Sequence, residues 1–318
     1  MTENLRELHT PVLLDRCIEL LAPALTGDAV VIDATLGMGG HTEALLERFP
    51  QLVVIGFDRD TQALEIARRR LAPFGDRVKF VHATYDEIDA ACDELGIAKV
   101  NGVLFDLGVS SLQLDRADRG FAYAKDAPLD MRMDQSTGET AADLLARLSE
   151  SELRDVFYRY GDEKLAPRYA RAIVQAREVG PIERSGQLVD ILQDATPAAL
   201  KNAGHPAKRV FQALRVVVNH ELDVLERAIP AAIARLAVGG RIVVLSYQSM
   251  EDRFVKRTLQ ALSVSTAPVG LPQELPEHQP QLRLLVRGAE FASEAEQTEN
   301  SRAKPVRLRA AERLREVA

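Results

Sequence analysis

Short, almost wholly apolar segments alternate with helical segments along the first third of the chain, and this alternation limits the folds open to it. The strands are predicted at 29–33, 52–57, 78–82 and 100–106. Helices are predicted between them at 42–48 and 61–71. Strands without a polar face are typical of parallel sheets that helices cover on both sides. The sequence therefore predicts an α/β fold with a doubly wound, mostly parallel sheet.

The pattern changes after this region and returns near the end of the chain. Residues 112–218 contain only helical patterns, and strand patterns reappear at 241–246 and 281–287. The simplest topology is one α/β domain that an all-helical domain interrupts. We predict a discontinuous sheet domain at 1–113 and 217–290, a helical insertion at 114–216, and a basic, partly mobile tail at 291–318.

Composition excludes several other classes of protein. With 318 residues, 46% of them hydrophobic and 27% charged, the chain has globular rather than disordered or coiled-coil composition. No apolar run approaches the roughly 18 residues of a membrane span, and residues 1–10 are polar. Cys17 and Cys92 are too few for a disulfide framework, and the six histidines show no metal-ligand spacing. We expect a cytoplasmic protein without a metal site or a membrane contact.

Charge is distributed unevenly along the chain. The net charge of −7 argues against a protein that coats nucleic acid without selectivity. Residues 116–215, in contrast, hold 16 Lys and Arg against 15 Asp and Glu, and most of the basic residues are arginine. Arginine suits planar, bidentate phosphate contacts. This segment therefore fits a site for one particular polyanion, although each arginine could equally pair with a neighbouring acid.

A glycine-rich turn, Asp33 to His41, follows the first predicted strand. Open α/β sheets bind their ligands at this position, and the glycines at 37, 39 and 40 let backbone approach a ligand closely. A dinucleotide fingerprint would need glycine where Thr42 stands. A phosphate-binding loop would need lysine where His41 stands. Both phosphate-binding interpretations are weakened.

Three acidic residues indicate which ligand the turn holds. Asp58 ends the second strand and can accept both ribose hydroxyls of an adenosine, which fits either NAD or S-adenosylmethionine. Asp33 and Asp106 end two other strands and place carboxylates near the same edge. A cationic sulfonium would be attracted by this pair and a pyrophosphate repelled. The acids therefore favour S-adenosylmethionine.

With these residues in place, the chain resembles the MraW family of bacterial small-subunit ribosomal RNA (cytosine-N4)-methyltransferases over nearly its whole length. The blocks that carry the resemblance are 9–14, 33–41, 106–115, 119–121, 128–134, 205–207, 211–219, 249–253 and 308–313. The resemblance implies a Rossmann-like class I methyltransferase sheet with an inserted helical substrate-recognition domain. It also implies S-adenosylmethionine as methyl donor and, as acceptor, a cytidine in the decoding region of the small-subunit (16S) RNA.

Together, the resemblance and the chemistry of the residues themselves predict roles for particular positions. The expected cofactor contacts are Asp33, Gly37, Gly39, Gly40, His41, Asp58, Tyr85, Asp106 and Gln113. The expected substrate contacts are Arg132, Asp134, Arg209, Arg215 and Gln248. The loop at 131–134 is expected to face the substrate, because a loop so dense in charge has little packing purpose.

One block departs from the family pattern. The family usually reads Ser-Phe-His-Ser-Leu-Glu-Asp-Arg where this chain has Ser246 to Arg253, with Tyr247 and Gln248 in place of Phe and His. Glutamine cannot supply a titratable base or a metal ligand. We expect Gln248 to position substrate by hydrogen bonding.

The chemistry of the acceptor suggests a mechanism. The exocyclic amine of cytosine is a poor nucleophile, so orientation should contribute much of the rate. Asp106 is the candidate catalytic residue, accepting an amine hydrogen, while a role as cofactor ligand stays open. The target cytosine must be unpaired or flipped out of its helix.

Two alternatives to a methyltransferase remain open. One is an NAD-dependent oxidoreductase, and the other is a ribosome assembly factor that binds donor or RNA without turnover. The sequence also leaves open whether the partner is free RNA or an assembled small subunit, and whether the chain forms a homodimer.

Overall fold

A computed structural model describes residues 11–200, 204–268 and 275–316. The polar start at 1–10 and part of the predicted loop at 268–280 lie outside the described residues. The chain divides into two compact units. The first comprises Met1–Gly108 and Asp223–Ala318, and the second comprises Val109–Leu222. Gln113, which sequence analysis assigns to the sheet domain, lies in the second unit.

The first unit contains a seven-stranded sheet in the order β3-β2-β1-β4-β5-β7-β6. Its strands are β1 Val30–Asp33, β2 Val53–Asp58, β3 Val78–His82, β4 Val100–Asp106, β5 Leu236–Ser246, β6 Leu282–Leu284 and β7 Arg307–Arg313. The pairs among β1 to β5 are parallel, and β7 runs antiparallel to both β5 and β6. The predicted doubly wound, mostly parallel sheet is confirmed.

Helices pack on both faces of this sheet. They are α1 Leu14–Leu21, α2 Gly40–Arg48, α3 Thr61–Leu71, α4 Ile88–Glu94, α11 Glu221–Arg235, α12 Ser249–Leu262 and α13 Glu294–Glu299. Successive strand residues point to opposite faces. Val31 and Val54 therefore join one apolar core with α1 to α3. Ile32 and Ile55 join the other core with α4, α11 and α12.

The predicted basic tail at 291–318 is wrong. Residues 307–313 form β7, whose Leu308 and Ala310 pair with Leu245 and Val243 of β5 and are buried. Arginines alternate along β7 and interrupt its apolar pattern, so the sequence does not indicate a buried strand. Two of these arginines are nevertheless buried, because each has hydrogen-bond partners. Arg309 donates to Asp252 at 2.7 Å and to a backbone carbonyl, and Arg313 donates to another carbonyl at 2.7 Å.

The second unit is helical. Its helices are α5 Ser111–Asp115, α6 Ala141–Arg147, α7 Glu150–Gly161, α8 Ala166–Val179, α9 Ser185–Ala195 and α10 Ala207–Val218. Their apolar faces enclose one core, with Leu153, Phe157, Tyr169 and Leu214 among its buried members. Ser149 and Thr140 begin α7 and α6 with reciprocal side-chain caps.

Cys17 and Cys92 are both buried, free thiols. Among the described residues, no helix combines the length and the apolar character needed to cross a membrane. The same residues contain no group of three or more His, Cys, Asp or Glu side chains arranged to hold a metal ion.

The packing of β7 predicts a large loss of stability when its core side chain is shortened. We expect Leu308→Ala to lower the free energy of unfolding by about 2–5 kcal/mol, because Leu308 is fully buried. Leu284→Ala on the neighbouring β6 is the matched control, since that side chain is 37% exposed and should cost about 0.5 kcal/mol. Denaturant unfolding measures both changes, and similar losses would contradict the assignment of β7 to the core.

Candidate functional site

The carboxyl ends of four parallel strands place the polar residues of the site along one edge of the sheet. Asp33 ends β1, Asp58 ends β2, Asp106 ends β4, and Ser246 ends β5. The register is continuous through these ends, since Asp33 pairs with Gly56 and Asp106 pairs with Leu245. Side chains from separate parts of the chain therefore meet at this edge, which is where open α/β sheets bind ligands.

The turn after β1 depends on glycine. Gly37 and Gly39 have φ values of 53° and 80°, a region that residues with a Cβ rarely adopt. A Cβ on Gly40 would lie 2.6 Å from Cγ of Pro11, so the segment before α1 packs directly on the turn. A Cβ on Gly37, in contrast, would meet its nearest atom only at 3.9 Å. The backbone at Gly37 is therefore open to a ligand.

Asp33 holds the glycine turn in place by hydrogen bonds. Its carboxylate is 1% exposed and accepts hydrogen bonds from the backbone N–H of Thr35 at 3.3 Å and the hydroxyl of Thr42 at 2.7 Å. Burial raises the pKa of Asp33. These bonds also explain why threonine stands at 42, where a dinucleotide-binding turn would have glycine: its hydroxyl binds the buried acid.

Asp58 connects the turn to the end of β2. Its Oδ2 accepts the backbone N–H of Gly37 at 2.8 Å, and its Oδ1 accepts the backbone N–H of Asp60 at 2.8 Å. The side chain is half-buried, and burial raises the pKa of Asp58 to about 6. Each oxygen keeps a lone pair for a further donor, such as a ribose hydroxyl.

Asp106 is half-buried, with 25% of its side chain accessible. Its backbone N–H donates to the hydroxyl of Thr35 at 2.6 Å, and its Oδ1 accepts the hydroxyl of Tyr247 at 2.7 Å. Its Oδ2 lies 3.8 Å from Nδ1 of His41. The glycine turn, β4 and the segment after β5 are thereby linked.

His41 and Tyr85 complete the predicted cofactor residues of the first unit. Nε2 of His41 lies 3.1 Å from the carbonyl oxygen of Val12. A carbonyl only accepts hydrogen bonds, so Nε2 carries the hydrogen. The half-buried ring of Tyr85 contacts Phe105 edge to face, with 5.6 Å between the ring centroids. An aromatic ring therefore lies near the end of β4, and its contact with an adenine stays a prediction.

Gln248 occupies a structural position. It lies directly before α12, is 8% exposed, and exchanges side-chain to backbone hydrogen bonds with Glu251 in a capping box. The carboxylate of Glu251 accepts the backbone N–H groups of both Tyr247 and Gln248 at 3.0 Å. Glutamine thus begins the helix at the position where the family usually has histidine.

The remaining predicted residues lie in the second unit, which is described by itself. Gln113 is 4% exposed and caps α5 through Ser110. Arg209 is exposed and donates to the carbonyl of Asp162 at 2.7 Å. Arg215 makes a two-bond ion pair with Glu221 at 2.8 and 2.9 Å, and neither side chain is more than 15% exposed. Arg209 is thus available to a polyanion, whereas Arg215 is committed to the fold.

The loop at 131–134 has a packing purpose, contrary to the sequence argument. Met131 and Met133 are buried in the helical core. Arg132 binds Asp130 through Nε and Nη2 at 2.8 and 2.9 Å, and Asp134 caps the backbone at Ser136. The fully buried Arg119 donates to the carbonyls of residues 132 and 133. The charges in this loop therefore hold its own backbone.

Thr35, Tyr247 and Glu251 organise the site, although the sequence alone assigns no role to any of them. Tyr247 differs from the family's usual Phe, and its hydroxyl is a signal that could have identified it. Thr35 and Glu251 gave no comparable signal, since hydroxyls and acids at turns and helix starts most often act as local caps.

The similarity of this chain to known proteins extends over nearly its whole length. The MraW methylase family matches residues 6–314. A ribosomal RNA small subunit methyltransferase H from Clavibacter michiganensis subsp. michiganensis is 67% identical over 312 residues, covering 98% of each chain. Proteins of the same name from Leifsonia xyli subsp. xyli and Streptomyces avermitilis are 66% and 57% identical, covering 97% and 98% of this chain and 95% and 98% of their own.

The raised pKa of Asp58 predicts a pH-dependent cost to folding. The folded protein keeps this proton up to about pH 6, whereas the unfolded chain loses it near 3.8, so Asp58 lowers stability as pH rises through this window. We expect the stability of Asp58→Asn relative to wild type to increase by on the order of 1–3 kcal/mol from pH 4 to pH 7.

Denaturant unfolding at several pH values measures this difference. Asparagine also loses an accepted backbone hydrogen bond, but that loss adds a constant offset and leaves the pH dependence unchanged. A difference between the two proteins that stays flat across the window would contradict the buried, protonated carboxyl.

Proposed function

Because this chain belongs to the MraW methylase family, we propose that it transfers a methyl group from S-adenosylmethionine to the N4 amine of a cytidine in the decoding region of small-subunit ribosomal RNA. The observation that carries the proposal is the full-length similarity to small-subunit ribosomal RNA methyltransferases. The specific amine is inferred from the resemblance and from the chemistry of the strand ends.

The residues at the sheet edge fit the methyl donor. Asp58 offers carboxylate oxygens to a ribose, the ring of Tyr85 offers an aromatic surface to an adenine, and the open backbone at Gly37 leaves room for a nucleoside. The acids at the strand ends suit a cation. Bound S-adenosylmethionine supplies a methyl group made electrophilic by its sulfonium sulfur. Asp33 contributes indirectly, by holding the turn.

Asp106 is the residue placed to act on the acceptor amine. Its Oδ1 is already bonded to Tyr247, while Oδ2 faces His41 at a distance too long for a hydrogen bond. Oδ2 can therefore accept an N–H of the target amine and orient the nitrogen lone pair. The transfer forms a carbon–nitrogen bond and breaks a sulfur–carbon bond, and Oδ2 accepts the proton that the nitrogen then carries in excess.

The substrate requires a different surface. An exposed arginine such as Arg209 can bind a backbone phosphate, whereas Arg215, Arg132 and Arg119 are paired within the helical unit. We infer that phosphate contacts of this unit come from its exposed arginines. The paired arginines keep the helices and the 131–134 loop in place.

The loss of Asp106 should abolish methyl transfer. We expect Asp106→Ala to reduce transfer from labelled S-adenosylmethionine to undermethylated small subunits by about 100-fold or more. Asp93→Ala is the control, because Asp93 is 71% exposed and pairs with Arg235 away from the strand ends. Mass spectrometry of the RNA then identifies the methylated base.

Two results would contradict the proposal. Near-normal turnover of Asp106→Ala would remove the role assigned to Asp106. Wild-type protein that binds small subunits and the donor without transferring a methyl group would favour a non-catalytic assembly factor. Naked small-subunit RNA and DNA are the substrate controls.

The two arginines of α10 should give opposite phenotypes. We expect Arg209→Ala to leave stability unchanged and to reduce the salt dependence of RNA binding by about one counterion, because an exposed phosphate contact is lost. We expect Arg215→Ala to lower stability by about 3 kcal/mol, because the buried carboxylate of Glu221 would lose its cation. Filter binding against salt and denaturant unfolding test both, and the reverse assignment would contradict the structure.

A further inference from the structure

The hydroxyl of Tyr247 lies beside Asp106, and the proposed reaction gives it no role. It donates to Oδ1 of Asp106 at 2.7 Å, and its ring is half-buried against the core that contains α1 to α3. Its backbone is fixed as well, because the N–H of Tyr247 donates to Glu251 at 3.0 Å. Ring, hydroxyl and backbone are therefore all held in one position.

The sheet register determines which carboxylate this hydroxyl meets. Asp106 pairs with Leu245 on the adjacent parallel strand, and Tyr247 follows two residues later. The backbone N–H of Asp106 is bound by Thr35 at 2.6 Å. The side-chain rotation of Asp106 is thus the remaining freedom of this residue, and the hydrogen bond from Tyr247 restricts it.

The restriction leaves one oxygen in a defined place. Oδ2 of Asp106 lies 3.8 Å from Nδ1 of His41, whose Nε2 hydrogen is directed at the carbonyl of Val12. This gap is too wide for a direct hydrogen bond. Oδ2 of Asp106 can therefore accept a hydrogen bond from an N–H donor that enters beside it.

We propose that Tyr247 is a positioning residue that fixes Asp106 so that its Oδ2 receives the N–H of the acceptor amine. The inference rests on the proposed function, because it takes the acceptor to be an amine. It adds a residue that the resemblance does not assign. Tyr247 does not contact the substrate and acts only through the orientation of Asp106. The site thus uses a phenol and a carboxylate together, and removal of the phenol leaves the carboxylate free to rotate.

Tyr247→Phe isolates the hydroxyl, because it keeps the ring and removes only the hydrogen bond. We expect kcat for methyl transfer to small subunits to fall by about 10-fold, as is typical when a hydrogen bond to a charged group is lost. We expect the Kd for S-adenosylmethionine, measured by calorimetry, to stay within about twofold of the wild-type value. An unchanged kcat, or a Kd for the donor that rises as much as kcat falls, would overturn the inference.

Tyr169→Phe is the matched control. Its hydroxyl is also buried and hydrogen-bonded, to Thr196 at 2.8 Å, but it lies in the helical core of the second unit. It should lose stability comparable to Tyr247→Phe and keep both kcat and donor affinity. A loss of kcat in both variants would mean that any buried hydroxyl has this effect, and would overturn the specific role of Tyr247.

A spectroscopic readout separates this inference from the proposed function. Burial, together with the adjacent Asp106, raises the pKa of Tyr247 well above its usual value. In protein labelled with 3-fluorotyrosine, the fluorine resonance that disappears in Tyr247→Phe is assigned to Tyr247. We expect that signal to shift in Asp106→Asn and to stay in place in Asp93→Ala. If the signal shifts in Asp106→Asn but the wild type transfers no methyl group, the proposed function is wrong and the hydrogen bond between Tyr247 and Asp106 is still supported. If the signal does not shift in Asp106→Asn, the inference itself is overturned.

Discussion

Parallel pairing of β1 with β2 and β4, and of β4 with β5, is the constraint on which the site depends. Parallel strands all end at the same edge, so residues far apart in sequence arrive together there. Asp33, Asp58 and Asp106 are the last residues of their strands, and Tyr247 follows the last residue of β5. A shift of one residue in any of these registers would turn the terminal side chain to the opposite face of the sheet. The two apolar cores oppose such a shift, because each requires alternate residues of the same strands.

The three carboxylates at this edge have different roles because their environments differ. Asp33 is buried and satisfied by Thr35 and Thr42, so it serves the turn. Asp58 is half-buried and binds backbone N–H groups on both sides, so it joins the turn to β2. Asp106 keeps an accessible oxygen. Three carboxylates along one edge suit a cationic ligand. Their different environments indicate that Asp33 supports the turn, whereas Asp58 and Asp106 contact the ligand.

The sequence predicts the sheet well where periodicity is simple. The first four strands and the two helices predicted between them are apolar runs or amphipathic repeats, and they lie within a few residues of their predicted positions. β7 is missed because Arg309 and Arg313 interrupt its apolar pattern, and only the fold supplies Asp252 and the carbonyls that bind them. The packing of Met131 and Met133 is missed for the same reason: the charges beside them indicate a surface loop, and their partners are visible only in the structure. Ligand-facing residues follow from the glycine turn and the strand ends. Residues that act through another, such as Tyr247, carry no pattern of their own.

The acids and the glycine turn of this sheet edge suit a cationic nucleoside rather than a dinucleotide. Calorimetric titration of the intact chain with S-adenosylmethionine and, separately, with NAD distinguishes the two ligands directly. We expect saturable heat with one S-adenosylmethionine per chain and no heat with NAD. Saturable binding of NAD, or the absence of any heat with S-adenosylmethionine, would contradict this expectation.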